Sequence, residues 1–417
     1  LGVRRQRQMC IRDRANAERA LQDLYMLREI GRYKTGVHRP TLSDEDIKTR
    51  QWLLDELKAL GHDAHIDGIA NVIGYSKAPG KKLLCGSHLE SQNRAGWLDG
   101  ALGVVYALEA ARALHDAGVT DVGVDVMAFA DEEGHFGSMI GSNSLVGRMT
   151  EEMMDASTDR TTGTPLRQAL ARAGYADAPR AALEPARYCG MLEAHIEQGD
   201  SLEAEELKIG VVTSIVGIWQ YNLTFKGVQN HAGTTRMAIR KDAGVALRRV
   251  CHQIEEQFPQ VAAPRSVWTV GHIELEPGAP SIVPGGATMA FQFRDADPAV
   301  LQRLEETITA IVADENANGP CEVTLENTTR GVPARMDGGL QDCIEAAAEA
   351  IVPGKHVRMP SGAGHDAQVI AQKMPSSMLF IPSIGGISHH WTEDTSDEDI
   401  KLGAQVYVDA VRRMLMD

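Results

Sequence analysis

Two acids and three histidines of this chain sit where they could hold metal ions. Each follows or ends an apolar run. His88 ends Leu83-Leu84-Cys85-Gly86-Ser87, and Asp99 lies in Gly96-Trp97-Leu98-Asp99-Gly100. Glu133 lies in Asp131-Glu132-Glu133-Gly134 after the run at residues 122–130. His195 ends Met191-Leu192-Glu193-Ala194, and His389 follows Met378-Leu379-Phe380-Ile381-Pro382 through glycines. Carboxylate and imidazole donors without thiolate suit zinc, and also manganese or cobalt. A carboxylate shared by two divalent cations holds them about 3.5–4 Å apart, so both can act on one oxygen. Asp99 is the candidate bridge, because neighbouring glycines let the backbone turn sharply. His88 and His195 would complete one ion, and Glu133 and His389 the other. Three protein ligands per ion leave room for water and substrate, as in a catalytic site. Any one of these residues alone reads as structural or solvated. Five at strand ends together read as a two-metal site.

Adjacent residues do not normally both face one ion, so Glu132 takes another task. It is placed to accept a proton from an attacking water and deliver it to a leaving nitrogen. Glu90, on the same side of an extended segment as His88, can fix the tautomer of that histidine, or it is a surface glutamate. His231, in Gln229-Asn230-His231-Ala232-Gly233-Thr234-Thr235, can donate to an oxyanion if its domain closes over a site, or it is a loop histidine. Arg294 can grip a carboxylate with both arms, or it pairs with Asp295 or Asp297. Ser361-Gly362-Ala363-Gly364-His365-Asp366 presents backbone N–H groups to an anion. It lacks the lysine and hydroxyl of a nucleotide-binding loop. His390 follows His389, and the sequence leaves open which of the two points at a metal.

The elements behind these residues are legible. Residues 83–87, 122–130, 191–194 and 378–381 read as buried strands, and open α/β sheets bind ligands beyond the carboxyl ends of such strands. A strand pair is expected within 64–75, and another strand at 211–216. Helical spacing marks 15–61, 101–117, parts of 137–175, 340–351, 364–373 and 400–414. Between residues 219 and 327 the pattern changes. Alternating strands at 219–225, 267–275, 288–294 and 321–327 combine with helices at 243–258 and 300–316, an antiparallel α+β unit. The expected fold class is therefore α/β, with a mixed-sheet catalytic domain at 15–212 and 329–417 and an inserted α+β domain at 213–328. Residues 1–14 do not match the acidic body and read as a disordered or non-native tail.

The 417 residues are 43% hydrophobic and 24% charged, ordinary for a globular chain with a sizeable core. A formal net charge of −15 disfavours nucleic acid and anionic membranes as partners. No apolar stretch is long enough to span a bilayer. The six cysteines are scattered, which fits free thiols in a reducing cytoplasm.

Taken together, Gly86-Ser87-His88-Leu89, Asp99-Gly100-Ala101-Leu102-Gly103-Val104, Glu132-Glu133-Gly134, His195-Ile196-Glu197-Gln198-Gly199, Asn230-His231-Ala232-Gly233-Thr234-Thr235, Ser361-Gly362-Ala363-Gly364-His365-Asp366-Ala367 and Gly386-Ile387-Ser388-His389 resemble one family. It is the dinuclear-metal amidohydrolases that include N-carbamoyl-L-amino acid hydrolases, β-ureidopropionases and allantoate amidohydrolases, relatives of aminoacylases and dimetal exopeptidases. The resemblance implies that the inserted domain is a lid that also forms a homodimer. It implies His88, Asp99, Glu133, His195 and His389 as metal ligands and Glu132 as general base. By the same resemblance His231 reaches the partner subunit's site, Arg294 holds the substrate carboxylate, and Gln198, His365 and the Gly364 turn lie near the substrate. The chain departs from the pattern at Glu90, where aspartate is usual, and at Ser281, where a substrate-binding asparagine is common. Trp97-Leu98, His135-Phe136 and Arg236 are also unusual. The expected activity is hydrolysis of a carbamoyl or ureido C–N bond, first of an N-carbamoyl-L-amino acid. Alternatives are allantoate or another ureide, an aminoacylase or dipeptidase, and a non-catalytic binding protein.

Overall fold

The computed structural model describes residues 15–416; the tail expected at 1–14 lies outside them. In chain order the first unit begins with α1 (Ala17–Glu29), the short pair β1 (Arg32–Tyr33) and β2 (Gly36–Val37), and α2 (Asp44–Ala59). Ser43 caps α2, its hydroxyl accepting from Asp46 N–H at 3.2 Å, as the Ser-x-x-Asp spacing predicts. There follow β3 (Asp63–Ile66), β4 (Val72–Tyr75), β5 (Lys82–His88), α3 (Ala101–Asp116) and β6 (Gly123–Phe129). Three short helices come next, α4 (Ile140–Leu145), α5 (Glu151–Ala156) and α6 (Leu166–Ala173), then β7 (Tyr188–Ile196), α7 (Ser201–Ala204) and β8 (Ile209–Ile215). The second unit contains β9 (Gly217–Lys226), β10 (Asn230–His231), α8 (Ala243–Val261), β11 (Val267–Glu276), β12 (Ile282–Val283), β13 (Gly286–Asp295), α9 (Pro298–Asn318) and β14 (Glu322–Arg330). The chain returns through β15 (Ala334–Arg335), α10 (Gly338–Ile351), β16 (His356–Ser361), α11 (Asp366–Ile370), β17 (Ser376–Ile381) and α12 (Asp397–Met416).

Contacts divide the chain into two compact units, one up to Thr213 and from Arg335, the other Ser214–Ala334. The return lies later than residue 328, because β14 keeps pairing with β9 as far as Arg330. Among the described residues the first unit holds a nine-stranded mixed sheet, ordered β15-β8-β17-β7-β5-β6-β4-β3 with β16 beside β8. Its middle is parallel: β17 with β7, β7 with β5, β5 with β6. Parallel strands covered on both faces read as continuous apolar runs, and β5, β6 and β17 are buried throughout. Their carboxyl ends share one side, and register sets His88 beside Phe129 and His195 beside Phe380.

The second unit pairs a four-stranded antiparallel sheet, β11-β13-β9-β14, with α8 and α9. Alternate residues Tyr221, Leu223 and Phe225 of β9 and Met289, Phe291 and Phe293 of β13 share one core with Leu247, Val250, Leu304 and Ile308 of the helices.

One expected helix shrinks. Residues 364–373 yield only α11, because His365 is extended (φ −151°, ψ 160°) and the glycines before it stay in a loop. The strand β16 has no counterpart in the sequence reading.

Candidate metal centre

Four adjacent parallel strands and the loops after them bring the predicted acids and histidines of the first unit together. His88 is the last residue of β5, and His195 the last but one of β7. The acids follow β6, and His389 follows β17. Asp99 lies just before α3, where Gly100 takes φ +69°. A Cβ on Gly100 would come within 2.3 Å of the His88 ring, so only glycine lets the turn close on that histidine.

Two groups of candidate ligand atoms result, and both include Asp99. In the first, Asp99 Oδ1 lies 3.4 Å from His88 Nε2 and 3.1 Å from His195 Nε2. In the second, His389 Nε2 lies 3.5 Å from Asp99 Oδ2 and 3.6 Å from Glu133 Oε2.

Hydrogen bonding on the far side of each ring decides what faces Asp99. His88 Nδ1 is 3.0 Å from the Glu90 carbonyl, and His195 Nδ1 is 2.9 Å from the Ile196 carbonyl. A carbonyl only accepts, so each Nδ1 carries a proton and each Nε2 is aimed at a carboxylate oxygen. Each such pair calls for a positive charge between nitrogen and oxygen, which a proton on the ring or a metal ion supplies; against burial, Asp99 raises the pKa of both rings. Among the described residues, every ion-pair partner of Asp99, Glu132 and Glu133 is a histidine. The donor set therefore fits divalent cations on a ground independent of any resemblance.

The three consecutive acids divide their work. Asp131 adopts φ +58° and folds its own turn. Its carboxylate accepts from Thr41 Oγ1 (2.7 Å), His135 N–H (2.8 Å), and Phe136 and Gly137 N–H (both 2.9 Å). Burial still pushes its carboxyl up to about 7. Glu133 is clamped by Gln92, whose N–H meets Oε1 at 3.1 Å and whose Nε2 meets Oε2 at 2.8 Å. Glu132 reaches inward, with Oε2 3.7 Å from His88 Nε2. Burial first, and then Glu133, Asp366 and Asp99, push its carboxyl well above the ordinary range against the pull of His88.

Glu90 is a correction. Its carboxylate does not orient the His88 ring, which its own backbone carbonyl does; Oε1 stays 3.8 Å from Nδ1. Instead it pairs with fully buried Arg50 at 2.6 Å and accepts the Glu132 N–H at 2.6 Å. Arg50 also binds Asp46 at 2.9 Å. The longer side chain carries the charge past the histidine to a guanidinium. Arg294 Nε donates to Gln292 Oε1 at 3.1 Å. Of the two neighbouring histidines, His389 points at Asp99, while His390 Nδ1 meets Thr392 Oγ1 at 2.7 Å.

Other predicted residues fall in distinct places. Gln198 Nε2 donates to Asp99 Oδ2 at 2.9 Å. His365 is buried, edge-on to His195 at 4.7 Å between ring centres, with Nε2 2.9 Å from Ser361 Oγ. Burial holds its pKa well below the usual imidazole value. Gly364 lies beside Met139, whose Cε would be 2.7 Å from any added Cβ. His231, Ser281 and Arg294 belong to the second unit. His231 is exposed on β10, and its Nδ1 accepts from Gly233 N–H (3.0 Å) and Thr234 N–H (3.1 Å), which leaves the ring proton on Nε2. Ser281 accepts the Ala232 N–H through its carbonyl at 2.9 Å. Sequence reasoning missed Gln92, Arg50, Glu193 and Glu393. Glu193, next but one before His195, is buried and accepts from Ser87 Oγ (2.7 Å) and Ala367 N–H (2.8 Å).

Residues 79–413 match Peptidase family M20/M25/M40. An N-carbamoyl-L-amino-acid amidohydrolase of Paenarthrobacter aurescens is 32% identical over 409 residues, 96% of this chain and 98% of that one. An allantoate amidohydrolase of Escherichia coli (strain K12) is 33% identical, covering 89% of this chain and 91% of its own length. A crystal structure of an amidase (hydantoinase/carbamoylase family) from Burkholderia phymatum matches with TM-score 0.88 at 45% identity, covering 96% and 98% of the two chains. A match over most of the chain, with relatives that it covers nearly end to end, shows that this protein belongs to Peptidase family M20/M25/M40.

Proposed function

We propose that the chain is a metal-dependent amidohydrolase that cleaves the carbamoyl C–N bond of an N-carbamoyl-L-amino acid, releasing the amino acid, ammonia and carbon dioxide. The observation that carries this reading is the pair of ligand groups meeting on opposite oxygens of Asp99 with Glu132 beside them. Curated relatives of the same length act in name on carbamoyl amino acids and on allantoate. Two divalent ions, zinc first and manganese or cobalt as alternatives, would be held by His88, Asp99 and His195 and by Asp99, Glu133 and His389. Such a pair supplies Lewis acidity to the scissile carbonyl and acidifies a water. Glu132 accepts the proton of the attacking water and returns it to the departing nitrogen. His231, with its proton on Nε2, donates to the oxyanion, reaching it from the second copy of a homodimer formed through the inserted domain. Arg294 takes the substrate carboxylate, and Gln198, His365, Gly364 and Ser281 border the substrate. Among the described residues no helix is long and apolar enough to cross a membrane. The scattered cysteines favour a cytoplasmic location.

Allantoate is the second reading, favoured by the 33% identity to an allantoate amidohydrolase. Purified protein loaded with zinc is assayed for ammonia on N-carbamoyl-L-amino acids and allantoate, and for free amino acid on N-acyl amino acids and dipeptides. Ammonia from carbamoyl amino acids, abolished by chelator and restored by zinc, is expected. Amino acid release from N-acyl substrates alone would overturn the reading.

A further inference from the structure

The chain between β17 and α12 does more than deliver His389. It closes on itself: Ile384 N–H donates to the Asp394 carbonyl at 3.0 Å, and Thr395 Oγ1 to the Pro382 carbonyl at 2.7 Å. From this closed loop Glu393 turns inward and is 1% exposed. Its Oε1 accepts the Asp99 N–H at 3.2 Å, and its Oε2 accepts the Ser388 hydroxyl at 3.0 Å. The path is shaped for this carboxylate. A Cβ on Gly96 would lie 1.8 Å from Oε1, so the glycine before Trp97 leaves the space that Glu393 fills. Trp97 fastens the same junction, its Nε1 donating to Asp394 Oδ1 at 3.3 Å beneath Arg28, whose guanidinium sits 4.6 Å above the indole.

Glu393 therefore links two segments far apart in sequence. One carries Asp99; the other carries His389, next to Ser388. Ser388 is shared between them: its oxygen lies 3.0 Å from Glu393 Oε2 and 3.4 Å from Asp99 Oδ2, and it accepts from Gln198 Nε2 at 3.1 Å. With one hydroxyl proton, Ser388 takes the shorter bond to Glu393. That leaves Asp99 Oδ2 facing His389. His389 adopts φ +55°, its side chain is 53% exposed, and its Nε2 lies 3.4 Å from Gln198 Nε2.

We propose that Glu393 is a positioning residue that sets the distance between Asp99 and His389, and so governs the affinity of the Asp99/Glu133/His389 cation site more than that of the His88/Asp99/His195 site. The inference rests on the two-cation reading of the centre, and it concerns cation binding rather than turnover.

The test is calorimetric titration of the metal-free full chain with zinc, with His389→Ala marking the step that belongs to the exposed half. Glu393→Ala is expected to weaken that step by about 10–100-fold, as is usual when a partner behind a metal ligand is lost, and the other step by much less. Glu393→Gln keeps an oxygen for the Asp99 N–H, and its amide can donate to Ser388. Ser388 then turns its own proton to Asp99 Oδ2, so this variant is expected to weaken the exposed step by less than Glu393→Ala does and to leave the other step at the parental value. Glu393→Gln has nearly the same shape, so it remains readable if Glu393→Ala fails to fold. The proposal is overturned if Glu393→Ala titrates like the parent. It is equally overturned if both steps weaken together in proportion to a lowered melting temperature, or if Glu393→Gln is as weak at the exposed step as His389→Ala. Zinc titration needs no substrate, so failure of every ureide to turn over would leave this result standing and would count only against the proposed activity.

Discussion

The two halves of the candidate centre are built to different standards. His88 and His195 are each 1% exposed, and each has its Nδ1 tied to a backbone carbonyl at the end of a buried strand. Their Nε2 atoms have almost no freedom. Glu133 and His389 stand on loops, and the His389 side chain is half exposed. What orders that half is loop partners: Gln92 on Glu133, and, on the loop of His389 itself, Glu393 with Ser388 around Asp99. Strand ends give rigid donors directly, whereas loop donors need partners behind them. One half should hold a cation tightly by itself, and the other only as well as its supports allow.

Breaking the shared residue should erase the contrast. Asp99→Asn is expected to remove both steps of a zinc titration and essentially all turnover; one surviving step of parental affinity would show that Asp99 is not shared. Glu132→Gln tests the chemistry with the halves intact. Zinc content should stay at the parental value while kcat falls by about 10²–10⁴-fold, the range of a lost general base. Falling zinc content in that variant would mark Glu132 as a ligand instead. Gln92→Ala sharpens the contrast, because Glu133 is the candidate ligand that its side chain touches. The exposed-half affinity should drop by about tenfold or somewhat more, with the His88/His195 step unmoved; an equal loss in both would deny that the halves are separable. His390→Ala is the smallest case. Its ring faces Thr392, so zinc titration and kcat should match the parent within error.

How much of this was legible depended on the kind of signal. The buried parallel strands announced themselves as apolar runs, and the candidate ligands stood at or after their ends, so His88, Glu133 and His195 could be picked out from local pattern. The antiparallel unit was legible for a similar reason: β9 and β13 alternate large apolar residues with polar ones toward a single core. The supports were not legible. Glu393 reaches Asp99 across a separation of 294 residues, and Arg50 reads as one more charge on α2. Neither has a periodic or spacing signature, because its meaning comes only from tertiary contact. Glu90 was misread on the same account. Proximity in sequence suggested the His88 ring, whereas the fully buried guanidinium of Arg50 captured the carboxylate and left the backbone carbonyl to the histidine. His389 and His390 were separable only once the loop after β17 had a shape.

The central claim is that Asp99 joins two cations held by unequal halves. The most direct measurement is diffraction from crystals grown with zinc, recorded on both sides of the zinc absorption edge. Two anomalous peaks are predicted, one beside each oxygen of Asp99, with the peak at Glu133 and His389 fading first as chelator is soaked in. A single peak, or two peaks with Asp99 touching neither, would contradict the account.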